Sequence, residues 1–151
     1  MPGETHLMQR LRLEHPIIQA PLAGGGDTPE LVAAVCNAGG LGFIGAAYLT
    51  PAQIAEASRA VRAQTARPFG INLFSPLPPP ESPQNVDAAL QRLAPFYAEL
   101  GLPAPSRTAT TGFSFPEQLA AALQTEASVF SFTFEILPGM RSRRSSGGAC
   151  S

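Results

Sequence analysis

Residues His15–Tyr48, HPIIQAPLAGGGDTPELVAAVCNAGGLGFIGAAY, decide the fold. Ile17, Ile18 and Ala20 make a short apolar strand that Pro21 ends. Gly24-Gly25-Gly26 let the backbone lie close to whatever packs there, and Thr28-Pro29-Glu30 has the grammar of a helix start. Threonine caps, proline fits the first turn, and the carboxylate faces the positive end of the helix dipole. Gly39-Gly40 end that helix and launch Leu41–Tyr48, again almost wholly apolar. Apolar strands joined through a helix mark a parallel sheet covered on both faces. Such sheets take ligands at the carboxyl ends of their strands.

The same grammar recurs downstream. Thr50-Pro51 opens a second helix with Ile54, Ala57, Ala60 and Val61 as its inner stripe, ending near Arg67-Pro68. Phe69–Phe74, FGINLF, is the next apolar strand. Strands at about 17–20, 41–47 and 69–74, alternating with helices, fit either a doubly wound α/β sheet or a (β/α)8 barrel. Ser75–Pro83, SPLPPPESP, is a proline-rich crossing that can be neither helix nor central strand, and serves as a stiff surface loop or a lid. Asn85–Leu100 is expected to be a helix, with Val86, Leu90, Leu93 and Tyr97 at helical spacing and a bend at Pro95. After an irregular Gly101–Thr111, Ser114-Phe115-Pro116-Glu117 opens a helix to about Thr125 with Leu119 and Leu123 inward. Ser128–Phe134, SVFSFTF, alternates and makes a fourth strand. Gly139–Ser151 holds one large apolar residue among arginine, serine and glycine, too little to pack, and is read as a disordered tail.

The 151 residues are 44% hydrophobic and 14% charged, which suits one core of ordinary size. There is no lysine, all ten basic residues are arginine, and the net charge is -1, so neither nucleic acid nor an anionic membrane is indicated as a partner. The longest apolar runs are of strand length and broken by glycine, which gives no transmembrane helix. The amino terminus lacks the apolar region of a signal peptide. Cys36 and Cys150 sit in unlike settings and read as unpaired thiols of a cytoplasmic protein. His6, in a polar segment expected to be mobile, and His15 have no second ligand at metal spacing; no metal site and no Ser-His-Asp constellation is assigned. Gly24–Gly26 lacks the trailing glycine of a dinucleotide fingerprint and any Lys-Ser/Thr, which leaves close backbone approach or simple turning. Asn72 is the lone side-chain amide of its strand, near the carboxyl end, where burial obliges it to find a partner.

Taken in order, QAPLAGGGDTPELVAAVCNAGGLGFIGAAYLTP (Gln19–Pro51), RPFGINLFSP (Arg67–Pro76) and SFTF (Ser131–Phe134) resemble the amino-terminal part of nitronate monooxygenases, formerly 2-nitropropane dioxygenases. The resemblance runs from about His15 to Phe134. It implies a (β/α)8 TIM-type barrel, here partial with about four parallel strands, and an FMN enzyme. That enzyme oxidises alkyl nitronates such as propionate 3-nitronate with O2 and uses no nicotinamide. It also implies that Ala20, Pro21, Leu22 and Ala23 lie against the flavin and that Asn72 hydrogen-bonds it. Leu22 stands where the family has methionine, an apolar exchange of similar volume that keeps the backbone contacts. A flavin-dependent enoyl-thioester reductase shares the barrel and the HPIIQ-type opening, but the long insertion Ser75–Thr111 fits the monooxygenase better.

Members of the family run to more than twice this length. Their catalytic histidine, in a Gly-Gly-His segment beyond the fourth strand, has no counterpart here, nor do the glycine loops that hold the FMN phosphate. Glu135 replaces a usual glycine. The implied organisation is residues 1–138 as the amino-terminal half of an FMN-binding barrel and 139–151 as the tail of a truncated product, with no catalytic residue assigned. Four strands of a closed barrel leave two edges and an apolar inner layer uncovered. Tight FMN binding is therefore not expected, self-association through the exposed sheet is, and a non-catalytic remnant is the alternative to an enzyme.

Overall fold

The computed structural model describes residues 5–77, 86–107 and 114–134. The tail 139–151 with Cys150, most of the proline-rich crossing, and 108–111 lie outside the described residues. The described residues form two compact units, one of 5–76 and 114–134, the other of 77 and 86–107.

The first unit contains α1 (His6–Leu11), α2 (Pro29–Asn37), β1 (Phe43–Gly45), α3 (Pro51–Arg62) and β2 (Gly70–Phe74); the second holds α4 (Val86–Glu99); α5 (Phe115–Leu123) and β3 (Val129–Thr133) complete the first. The strands are parallel in the order β1-β2-β3, with Phe43 beside Gly70 and Gly70 beside Val129, then Gly45 beside Asn72 and Asn72 beside Ser131. Sequential parallel strands joined by helices are the barrel's repeating unit. The fold is a partial (β/α)8 barrel.

The helix starts form as their residues dictate. Thr28 Oγ1 accepts from Leu31 N at 3.3 Å, and Thr50 Oγ1 from Gln53 N at 3.2 Å while Gln53 Oε1 accepts from Thr50 N at 2.9 Å. Prolines occupy the first turns of α2, α3 and α5. Glu30 and Glu117 are held below the usual carboxylate range, the first by its own N–H and the Thr28 hydroxyl, the second by the N–H and hydroxyl of Ser114. Gly39 closes α2 at φ +88. A Cβ there would also lie 2.7 Å from Glu14 Cβ.

Strand parity separates two apolar clusters. Ile44, Ala46, Ile71 and Leu73 face the helices and pack with Val32, Cys36, Ile54, Val61, Phe69 and Ala122. Leu41 and Phe43 point the other way, where Met8 and Leu13 cover them. Gly70 is obligatory on that inner face, since a Cβ would lie 2.2 Å from the Phe43 ring. Arg62 staples the outer layer: Nη1 donates to the carbonyls of Thr65 (3.0 Å) and Arg67 (3.1 Å), Nη2 to that of Glu126 (3.0 Å), and the guanidinium lies 4.9 Å from the Phe69 ring centre. Gln118 Nε2 donates to the carbonyls of Ala46, Ala47 and Leu49, at 2.8 Å for the last.

Several expectations are corrected. The strand at 17–20 is reduced to one parallel bridge, Ile18 to Leu41, and Ile17 and Ile18 are 60% and 53% exposed. After Gln19 the main chain leaves β1, and the Gln19 carboxamide takes over: Oε1 accepts from Phe43 N at 3.1 Å and Nε2 donates to Phe43 O at 3.3 Å. The next strand is three residues rather than 41–47, and α3 stops at Arg62, five residues before the expected end. Leu123 points outward, 67% exposed, because Gln118 and Ala122 occupy the buried stripe of α5. His6 begins α1, capped by Thr5, rather than lying in an irregular segment. In the second unit, α4 forms over the expected stretch with Pro95 inside it, and buries none of its residues.

Candidate functional site

At the carboxyl ends of the three strands the inner face carries one row in register: Gly45, Asn72, Ser131. Asn72 is 5% exposed. Its Nδ2 donates to Ser131 Oγ at 2.9 Å, and Thr133 Oγ1 lies 3.5 Å from both ends of the amide. The partner of the buried amide is thus a pair of hydroxyls on the next strand rather than backbone. Ser131 and Thr133 lie two apart in SFTF, so strand alternation puts both beside Asn72.

The turn from Ala20 to Gly26 lies across β1. Gly24 and Gly25 have φ of +108 and +105 with open space around them, and a Cβ on Gly26 would press on Leu22 Cβ at 3.1 Å. Gly45 tolerates no side chain, because a Cβ would stand 2.6 Å from Ala23 N and 2.9 Å from Leu22 N. Ala20 and Leu22 are exposed, Pro21 and Ala23 partly so. Asp27 closes the turn: its buried carboxylate accepts from Leu22 N at 2.9 Å and from Gly45 N. A cleft of about 440 Å³ opens beside it, lined by Gly24, Gly25, Asp27, Gly45, Tyr48 and Ala57 among others. Tyr48, Phe74 and Phe134 stand edge to face across the strand ends, with ring centres 5.7 and 4.9 Å apart.

Of the five residues singled out in the sequence, Asn72 lies on the inner face and Ala20–Ala23 form the turn held against the neighbouring Gly45. Asp27, the two hydroxyls and the aromatic row were missed. The hydroxyls were visible as polar positions alternating with phenylalanine; Asp27 carried no signal beyond a lone carboxylate between glycines and a helix cap. Among Asn72, Ser131, Thr133 and Ala20–Ala23 no side chain titrates near neutrality, and the Asp27 carboxylate is occupied by two N–H donors. The polar groups gathered here, among the described residues, are thus one amide, two hydroxyls and a carboxylate already engaged by main-chain N–H groups. Among the described residues no His/Cys/Asp/Glu cluster could hold a metal ion, and no helix is long and apolar enough to cross a membrane.

Parallel strands alternating with helices in this order belong with the (β/α)8 barrels. The family model for nitronate monooxygenase matches residues 5–150, and the chain belongs to that family, which is flavin-dependent. Nitronate monooxygenase of Paraburkholderia phytofirmans is 37% identical over 140 residues, covering 87% of this chain and 37% of that protein. A probable nitronate monooxygenase of Staphylococcus haemolyticus is 36% identical over 132 residues, with the same coverage. The solved structure of nitroalkane oxidase from Streptomyces ansochromogenes superposes with a TM-score of 0.74 at 35% identity, over 87% of this chain and 36% of its own. The chain spans little more than a third of the relatives it matches.

Proposed function

We propose that residues 1–138 form the amino-terminal half of an FMN-binding barrel, with 139–151 outside it, and that the barrel's reaction is the oxidation of alkyl nitronates by O2. The observation that carries this reading is the Asn72 amide, buried on the inner face in register with Gly45, against which the Ala20–Ala23 turn lies. A flat heteroaromatic ring has imide and carbonyl edges that a carboxamide matches, and an apolar backbone turn supplies a surface for its face. Ala20, Pro21, Leu22 and Ala23 would line that face and Asn72 would hydrogen-bond the edge. Bound FMN would supply the redox chemistry. This chain's residues bind and orient it, and none is assigned a catalytic role. The buried, unpaired Cys36 suits the cytoplasm.

Equilibrium titration of FMN fluorescence with the 151-residue chain tests the reading. Saturable binding that is lost on desalting is expected, with Asn72→Leu weakening it by about tenfold, the worth of one hydrogen bond left unmade at a buried polar site. No saturable binding, or equal binding by Asn72→Leu, refutes the flavin site. Flavin retained stoichiometrically through desalting, or consumption of O2 with propionate 3-nitronate by this chain alone, refutes the half-barrel account. Nicotinamide oxidation would instead mark the enoyl-thioester reductase.

A further inference from the structure

The Ala20–Gly26 turn has little holding it. Among the described residues no backbone–backbone hydrogen bond ties 20–27 to the sheet. Two of its glycines sit at positive φ in open space, where glycine's conformational freedom favours motion. Its ties to the sheet run through side chains. Asp27 Oδ2 accepts both Leu22 N–H, from the middle of the turn, and Gly45 N–H, from β1. Asp27 is 9% exposed, and burial strengthens charge-assisted bonds by excluding water. It also stands just ahead of the Thr28 cap, where the positive end of α2 favours an anion.

We propose that Asp27 is a positioning residue that locks the Ala20–Ala23 backbone into a flat platform for the flavin ring. The proposal rests on the flavin reading above. Gly45 is the counterpart of the lock: having no Cβ, it lets Leu22 N and Ala23 N come down onto the strand so that one carboxylate oxygen reaches the N–H groups of Leu22 and Gly45. Ring stacking on a backbone surface depends on that surface being fixed beforehand, since ordering it upon binding subtracts from affinity.

The test uses the full 151-residue chain, FMN as the probe, and amide hydrogen exchange beside the titration. In Asp27→Ala the Leu22 and Gly45 amides should exchange, and the FMN dissociation constant rise, by at least about tenfold, the equivalent of one charged hydrogen bond. The Gly42 amide, donated to Cys36 Sγ, and the Gly70 amide, donated to Gly42 O, should stay as protected as in the parent. Asp27→Asn keeps an acceptor oxygen without the charge and should fall between Asp27→Ala and the parent in both readouts. A folded Asp27→Ala chain with unchanged Leu22 exchange, or with unchanged FMN affinity, overturns the proposal. If Asp27→Ala does not fold, Asp27→Ser decides: loosened Leu22 and Gly45 amides with a protected Gly42 support the lock, and parent-like exchange overturns it. Absence of saturable FMN binding in the parent itself overturns the flavin reading beneath the proposal, and the parent control separates that failure from failure of the variants alone.

Discussion

Gly45→Ala is the sharpest perturbation of the turn and the strand together. The new Cβ would lie 2.6 Å from Ala23 N, 2.9 Å from Leu22 N and 2.8 Å from Asp27 Oδ2. Two of these are main-chain atoms that cannot rotate away, so the turn must lift from β1 and both bonds into Asp27 must lengthen. Each hydrogen bond to a charged acceptor contributes about 1.5–3 kcal/mol. Alanine in place of a strand glycine returns about 0.5–1 kcal/mol. The net loss is therefore about 2–5 kcal/mol, a large part of the stability of a domain this size. Urea denaturation followed by circular dichroism reads it as a midpoint lowered by about 1–2.5 M at a slope near 2 kcal/mol/M. A double-mutant cycle with Asp27→Ala isolates the cause: once the carboxylate is gone the turn is already released, so the alanine should cost at least about 1 kcal/mol less. A Gly45→Ala loss below about 1 kcal/mol, or strict additivity with Asp27→Ala, refutes the reasoning.

The remaining expectations concern the frame. Arg62→Lys replaces a fork that reaches three carbonyls and lies over Phe69 with a point charge, and should cost about 2 kcal/mol, seen as a melting temperature lower by about 4–8 °C; a change under about 1 °C would show that the staple carries no stability. Burial raises the Cys36 thiol above its ordinary value, partly offset by the Gly42 N–H, Arg62 and Arg67, so the unfolded chain ionises first. Stability from the neutral thiol is complete below the ordinary thiol range and is lost as pH rises toward the folded value. With no lysine to titrate, urea midpoints between about pH 8 and 10 should fall in the parent and flatten in Cys36→Ala; equal slopes would contradict this. The exposed Ile17 and Ile18 and the outer edge of β3 predict self-association, which sedimentation of the parent should show as species above 15.8 kDa and Ile18→Arg should reduce. A parent that sediments as a monomer at high concentration would dispose of that expectation.

What the sequence made legible was chemistry that acts within a few residues. Thr28-Pro29, Thr50-Pro51 and Ser114-Phe115-Pro116-Glu117 begin helices where they stand, because a cap's partner is three residues away. Asn72 was legible for a different reason: an amide in an apolar strand must be satisfied, whichever partner the fold supplies. The misses all depend on distant partners. Ile17 and Ile18 read as buried from their apolarity, yet their burial depends on what lies across the inner face. Leu123 looked more inward than Ala122, but the outer cluster sits close against α5, and the side chain facing it is the small one. Asp27 could not be read as a brace, since its two donors lie five and eighteen residues away.

The edge of β1 shows how that distance effect shapes the Ala20–Gly26 turn. Every second residue there turns its N–H toward the departing first segment: Leu41, Phe43, Gly45. Leu41 N–H meets main chain, the carbonyl of Ile17 at 3.0 Å. Phe43 N–H meets the Gln19 carboxamide, and Gly45 N–H the Asp27 carboxylate. A continuing strand would have satisfied all three with its own carbonyls, and its backbone would then have been consumed in the ladder. Substituting two side chains for main chain keeps the edge satisfied while releasing the Ala20–Gly26 backbone to turn across the carboxyl end of the sheet. Irregular backbone at that place is affordable only because a polar side chain stands in for each lost ladder bond. The residues that shape the turn are thus Gln19 and Asp27, behind it, and removing either should disturb the turn before it disturbs the helices.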